Sequence, residues 1–180
     1  MAVSAARSAR RRRAARWVAA IAGLCMALWA GVGAQAQEAR WITESSPAPS
    51  LALRDTEGRD VDIGALKGRM VIVNFWATWC APCVAEMPSL QALAKRLGNN
   101  KATVLGVNYH ESTQKIREFQ ERVPVQFALL RDPWQATSAA WNVTTLPTTF
   151  IVDANGVVRY RVVGEVDWNS QQTFERLRRP

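Results

Sequence analysis

Cys80 and Cys83, separated only by Ala81 and Pro82, are the residues of this sequence best suited to chemistry. They stand where the strand formers Met70-Val71-Ile72-Val73-Asn74-Phe75-Trp76 give way to apolar residues at helical spacing, Val84, Met87, Leu90, Leu93 and Leu97. A sulfur at a helix start meets unpaired backbone N–H groups and the positive end of the helix dipole, which stabilise a thiolate on Cys80. Cys83 falls in the first turn, close enough to attack a mixed disulfide formed at Cys80. Pro82 is tolerated there because a first-turn N–H has no helical partner. This pattern suits thiol–disulfide exchange. The same spacing also serves as half of a zinc site, but His110 is the only histidine and Cys25 the only other cysteine, so a structural site lacks its remaining ligands. A fixed staple is a poor explanation too, because a bridge enclosing two residues hardly constrains the unfolded chain.

The charge pattern separates a leader from a body. The chain has 180 residues and a net charge of +8, which raises the question of a polyanion partner. Six of the 23 basic residues (Arg7, Arg10, Arg11, Arg12, Arg13 and Arg16) precede residue 37, a stretch without Asp or Glu; the rest carries 17 basic against 15 acidic residues. That near balance gives no nucleic-acid signature. The leader continues as an uncharged run from Trp17 to Ala36 and ends in Ala34-Gln35-Ala36, which fits a small-x-small processing site. We read residues 1–36 as a Sec-type signal peptide cut after Ala36, with an uncleaved membrane anchor as the alternative. Either version, with its arginines on the amino-terminal side, puts the body outside the cytoplasm, in the periplasm or on the extracytoplasmic face, where disulfides persist. The arginine run supplies a twin-arginine doublet by chance, and Leu24 before Cys25 is not the small residue that lipid modification needs.

Residues 37–50, polar and interrupted by Pro47 and Pro49, read as a flexible tether, with the folded domain spanning 51–180. Residues 51–54 and 61–63 form a small hairpin, followed by a helical turn at 64–67. The run 70–76 is a strand covered on both faces, and the helix from Pro82 to Leu97 is interrupted by Pro88, where a kink is expected, and stopped by Gly98. A buried strand at 103–109, an amphipathic helix at 112–122, a strand at 126–130 and a helix at 134–141 follow. The Asn155-Gly156 turn joins strands at 148–153 and 157–163, and a helix at 167–178 closes the pattern. Trp134, Trp141 and Trp168 are assigned to apolar helix faces, and His110, a lone histidine, is given no role. The whole reads as α/β, a mixed central sheet flanked by helices.

The block Val71-Ile72-Val73-Asn74-Phe75-Trp76-Ala77-Thr78-Trp79-Cys80-Ala81-Pro82-Cys83, followed by Glu86-Met87-Pro88, resembles the TlpA/ResA/CcmG branch of the thioredoxin superfamily. The resemblance covers Leu51 to the carboxyl end and implies a thioredoxin fold with an N-terminal hairpin and a helix-strand insert between Ser112 and Leu130. It marks Cys80 as the exposed nucleophile and Cys83 as the sulfur that resolves the mixed disulfide. Thr145-Leu146-Pro147-Thr148 resembles the loop whose cis-proline faces the active disulfide, which marks Pro147 and Leu146. Typical thioredoxins carry an aspartate at the position of Asn74, which takes up no proton. Glu86 matches a glutamate that the ResA-like branch keeps near its cysteines, and is read as tuning them and relaying protons. An exposed helix glutamate is its bland alternative. Trp79, Ala81 and Pro82 border Cys80 and are read as client contacts, Trp79 foremost, since amphipathic aromatics favour interfaces.

The function expected is therefore an extracytoplasmic thiol–disulfide oxidoreductase. It would need no cofactor or metal beyond the Cys80–Cys83 disulfide, and the Ala-Pro dipeptide, without a cation to hold the thiolate, favours a reductant. The resemblance implies clients such as apocytochrome c or the copper-centre proteins of respiratory oxidases, and recharging by a membrane thiol-reductant transporter. Two other readings stay open: a thiol-based copper or haem chaperone without turnover, from whose cysteines methionine and histidine ligands are missing, and a peroxiredoxin-like peroxidase, whose loop pattern Thr78-Trp79-Cys80 does not reproduce.

Overall fold

The computed structural model describes residues 39–98 and 101–178; the leader expected at 1–36 lies outside them. Six strands form one sheet in the order β1-β8-β7-β4-β5-β6: β1 Arg40–Pro47, β4 Met70–Trp76, β5 Ala102–Tyr109, β6 Ala128–Asp132, β7 Thr148–Val152 and β8 Val157–Val163. The strands β4, β5 and β6 run parallel, while β1, β8 and β7 pair antiparallel. Two short strands, β2 Ala52–Arg54 and β3 Asp60–Asp62, make the separate hairpin, and a 3-10 turn follows at Ile63–Leu66. The helices are α1 Ala81–Leu97, α2 Thr113–Arg122, α3 Ala136–Ala140 and α4 Gln171–Leu177. This is a thioredoxin fold.

The central strand β4 is apolar along its whole length because both of its faces are covered. Ile72 and Trp76 join Met87, Leu90 and Leu93 of α1, Ile116 and Phe119 of α2, and Trp168 in one core cluster. Val71, Val73 and Phe75 point the other way, into a cluster with Leu105, Val107, Leu130, Trp141 and Phe150. The period-2 alternation of a strand is therefore present but hidden, since every position is apolar except Asn74. In α1, buried Cys83, Met87, Leu90 and Leu93 form one stripe, Pro88 lies inside the helix, and Gly98 ends it at φ 74°.

Four local expectations are corrected. Residues 40–47 are strand rather than tether, because Trp41 stacks within 5.7 Å of Tyr160 and 6.0 Å of Trp168 while Glu44 pairs with Arg161 at 2.8 Å; these contacts are invisible in a polar, proline-bearing stretch, and they move the start of the folded domain from residue 51 to Arg40. β6 begins two residues later than expected, since the Gln126 amide donates to the Gln91 side chain of α1 instead of joining the sheet. α3 starts only at Ala136, where Asp132 accepts from the Thr137 and Ser138 amides and the Ser138 hydroxyl; Trp134 is left before the helix, 84% exposed and not packed. The last helix begins at Gln171, capped by the Ser170 hydroxyl. In the 153–157 turn only Gly156 takes a positive φ, and the Asp153 carboxylate accepts from Asn155 and Val157.

Gly106 of β5 sits opposite Asn74, and a Cβ there would come within 2.7 Å of Leu129 Cδ2 and 3.2 Å of Trp76 Nε1. Overpacking a core costs about 1–3 kcal/mol. Gly106→Ala should therefore lower the stability of the oxidised protein by that amount in denaturant unfolding; an unchanged midpoint would show that Leu129 and the indole have room to move.

Candidate active site

The site lies at the sheet end where the parallel strands finish. β4 ends at Trp76, Ala77-Thr78-Trp79 turns the chain, and Cys80 caps α1 with extended backbone angles, φ −89° and ψ 98°. Its sulfur accepts from the Cys83 amide at 3.3 Å, and its carbonyl accepts from Val84 at 3.1 Å. The first turn of this 17-residue helix holds no acidic side chain, so nothing there offsets the positive field that its start presents to a sulfur. Cys80 and Cys83 are joined as a disulfide with Cα atoms 5.2 Å apart. The two cysteines differ in exposure, Cys80 retaining 6% and Cys83 none. Trp79 is 63% exposed beside them, and Ala81 and Pro82 are exposed as well.

Glu86, on α1 three residues after Cys83, is 1% exposed. One carboxylate oxygen, Oε1, accepts from Asn74 Nδ2 at 2.7 Å, and the other, Oε2, accepts from the Val166 amide and the Trp168 indole, each at 3.1 Å. Burial, which penalises the charged form, outweighs these donors and pushes the carboxyl up from the ordinary 4.5 to about 7, with the charge of Glu165 adding to the rise. Glu86 follows Cys83 by three residues, so the two share one face of α1. The helix-surface alternative for Glu86 is set aside by its burial.

The Leu146–Pro147 peptide bond is cis. Pro147 is buried, its carbonyl accepts from Gly164 at 3.0 Å, and it immediately precedes Thr148, which pairs with Phe75. Because β7 runs antiparallel to β4, this register sets Pro147 at the sheet end from which the 77–80 loop departs. Leu146 is half-buried and packs against the cluster that contains both cysteines.

Two participants escape sequence reasoning. Glu111, in the loop between β5 and α2, accepts from the Thr78 amide at 2.7 Å and the Thr78 hydroxyl at 2.6 Å, and also bonds Asn108 at 2.8 Å and Lys115 at 2.7 Å. Those donors hold its carboxyl below the usual range although burial pulls it upward. It thereby ties down the turn that presents Cys80. Only its place just after a buried strand hinted at this. Trp168, expected to pack, does so and also donates to Glu86. His110 is exposed and bonds the Pro133 carbonyl. Among the described residues no three of His, Cys, Asp and Glu gather where they could hold a metal ion.

Residues 45–161 match the model of the AhpC/TSA family. The chain is 32% identical over 139 residues to the thiol-disulfide oxidoreductase ResA of Bacillus subtilis (strain 168), covering 77% of this chain and 78% of that protein. It is 36% identical over 126 residues to the thioredoxin-like protein YneN of the same organism, covering 68% and 73%. Among solved structures, a thiol:disulfide interchange protein of the thioredoxin family from Chlorobium tepidum TLS superposes with a TM-score of 0.65 at 27% identity, over 76% of this chain and 95% of that one. With a redox-active type of cysteine pair capping α1 and these relatives matched over most of its length, the chain belongs to the AhpC/TSA family and, within it, to the thiol-disulfide oxidoreductases of the ResA type.

Proposed function

We propose that this oxidoreductase works outside the cytoplasm as a reductant of client disulfides, with Cys80 as nucleophile, Cys83 as resolving thiol and Glu86 as proton relay. One observation carries the assignment: the cysteine that keeps residual exposure is the one at the helix start, and the fully enclosed one shares a helix face with a buried carboxyl. In the reduced protein the field of α1 stabilises the Cys80 thiolate. That thiolate attacks one sulfur of a client disulfide, forming a mixed disulfide and releasing the first client thiolate, which is protonated. Cys83 gives its proton to the Glu86 carboxylate and attacks Cys80 Sγ. The second client thiolate leaves, two electrons have passed to the client, and the Cys80–Cys83 disulfide remains.

Trp79, Ala81 and Pro82, exposed around Cys80, form the surface that a client segment would meet, with half-buried Leu146 and buried Pro147 at the same end of the sheet. The resemblance to the TlpA/ResA/CcmG branch supports clients whose cysteines must be reduced before haem attachment or copper insertion, and a membrane thiol transporter as the source of electrons. The basic, then apolar, leader supports export, as a cleaved signal or a retained anchor. Among the described residues no helix is long and apolar enough to cross a membrane.

Cys83→Ser should hold clients covalently on Cys80, and Cys80→Ser should bring insulin reduction down to background. Reduction persisting in Cys80→Ser would overturn the assigned nucleophile, and stoichiometric metal binding without turnover would overturn the catalytic reading. Glu86→Gln tests the relay through stability. The folded carboxyl titrates at about 7 and the ordinary value is 4.5, so in the wild type burial costs nothing below the ordinary value. Its cost grows as pH rises through that window and levels off above it. The stability difference should thus move in favour of Glu86→Gln by about 3 kcal/mol between acid and neutral pH. A pH-independent difference in denaturant unfolding of the oxidised proteins would show that Glu86 does not titrate there.

A further inference from the structure

The polar atoms around Glu86 are matched to only one of its two protonation states. Oε2 faces two N–H groups, of Val166 and Trp168, which can only donate. Oε1 has a single hydrogen-bond partner, Asn74 Nδ2, which also donates to Thr149 Oγ1 at 2.9 Å. Asn74 and Thr149 are direct cross-strand partners, both fully enclosed. Asn74 Oδ1, on the far side of the amide, is buried without any partner. This arrangement fits a carboxylate, which accepts everywhere. It does not fit the acid, whose new O–H on Oε1 would point at an NH₂ group.

We propose that Asn74 is the positioning residue for the Glu86 proton, its side-chain amide turning over whenever Glu86 gains or loses that proton. Turned over, Oδ1 takes the place of Nδ2 and accepts from Glu86 Oε1–H and from the Thr149 hydroxyl, which can donate as well as accept. In each orientation the outer amide atom lacks a partner, and a bare carbonyl is tolerated better than a bare NH₂. The present orientation therefore belongs to the ionised state, and the proton on Oε1 drives the turn. An amide can serve both states of its neighbour without titrating, whereas an aspartate at residue 74 would titrate against Glu86 as a coupled pair. Other groups near Glu86 do not supply this service: Glu165, in the segment after β8, brings only negative charge; Cys83, on α1 itself, is tied in the disulfide; and β4 and β7 offer only neutral Asn74 and Thr149.

This inference rests on Glu86 taking up a proton in the folded protein, and the test reads the two separately. In the oxidised full chain neither Cys80 nor Cys83 titrates, so the Glu86 carboxyl carbon can be followed by NMR between about pH 5 and 9. The Asn74 NH₂ signals, assigned by their loss in Asn74→Leu, should show contacts to Thr149 and Glu86 side-chain protons at high pH and lose them at low pH, with the same midpoint as the carboxyl carbon. In Asn74→Leu the Glu86 midpoint should rise by roughly one unit, because the carboxylate loses its donor on Oε1. Contacts that stay constant while the carboxyl titrates would overturn the turnover and leave the relay standing. A carboxyl that does not titrate at all would overturn both.

Discussion

The structure depends on a strand and a helix meeting head to tail, with a sulfur at the junction. A helix start leaves backbone N–H groups without partners, and here one of them, on Cys83, points at the Cys80 sulfur. The same geometry that caps α1 therefore supplies a donor for the anion proposed to form on Cys80 once the disulfide opens. Most of the remaining fold secures this junction: β4 is clamped between β5 and β7, the stripe on α1 holds the helix against the sheet, and Glu111 grips Thr78 so that the intervening turn keeps its course.

The second constraint is electrostatic. A carboxyl sealed among Trp168, Asn74 and Val166 is costly to ionise, and the three donors around it recover only part of the lost hydration. The outcome is a group poised near neutrality one helical turn from Cys83, which is what the proton relay proposed for it requires. The two buried acids of the site thus behave differently for a stated reason. Glu111 has a cationic neighbour in Lys115 and several short donors, so it stays charged and holds structure in place. Glu86 faces only neutral donors in a drier place, with the like charge of Glu165 nearby.

Where local pattern and chemistry coincide, the sequence is legible. The continuous apolar run of β4, the helical spacing after Cys83 and the stop at Gly98 all lie where the pattern puts them, and the identity of the two cysteines follows from spacing and the shortage of other metal ligands. The cis bond before Pro147 is legible only through family resemblance, since most X-Pro bonds are trans. What the pattern misses is tertiary. The pairing of β1 with β8 depends on Trp41 finding Tyr160 and Trp168 far along the chain, and the late start of β6 depends on one glutamine of α1. Trp134 illustrates the opposite error, an aromatic read as core and found in the open because Asp132 starts the helix beyond it.

The donors that complete the Glu86 pocket, the Val166 amide and the Trp168 indole, belong to a segment 80 and 82 residues downstream of that carboxyl. A ribosome therefore releases the two sulfurs long before it releases the groups that finish their surroundings. Until that late segment docks, the Glu86 carboxyl has only the Asn74 amide of its three donors to meet.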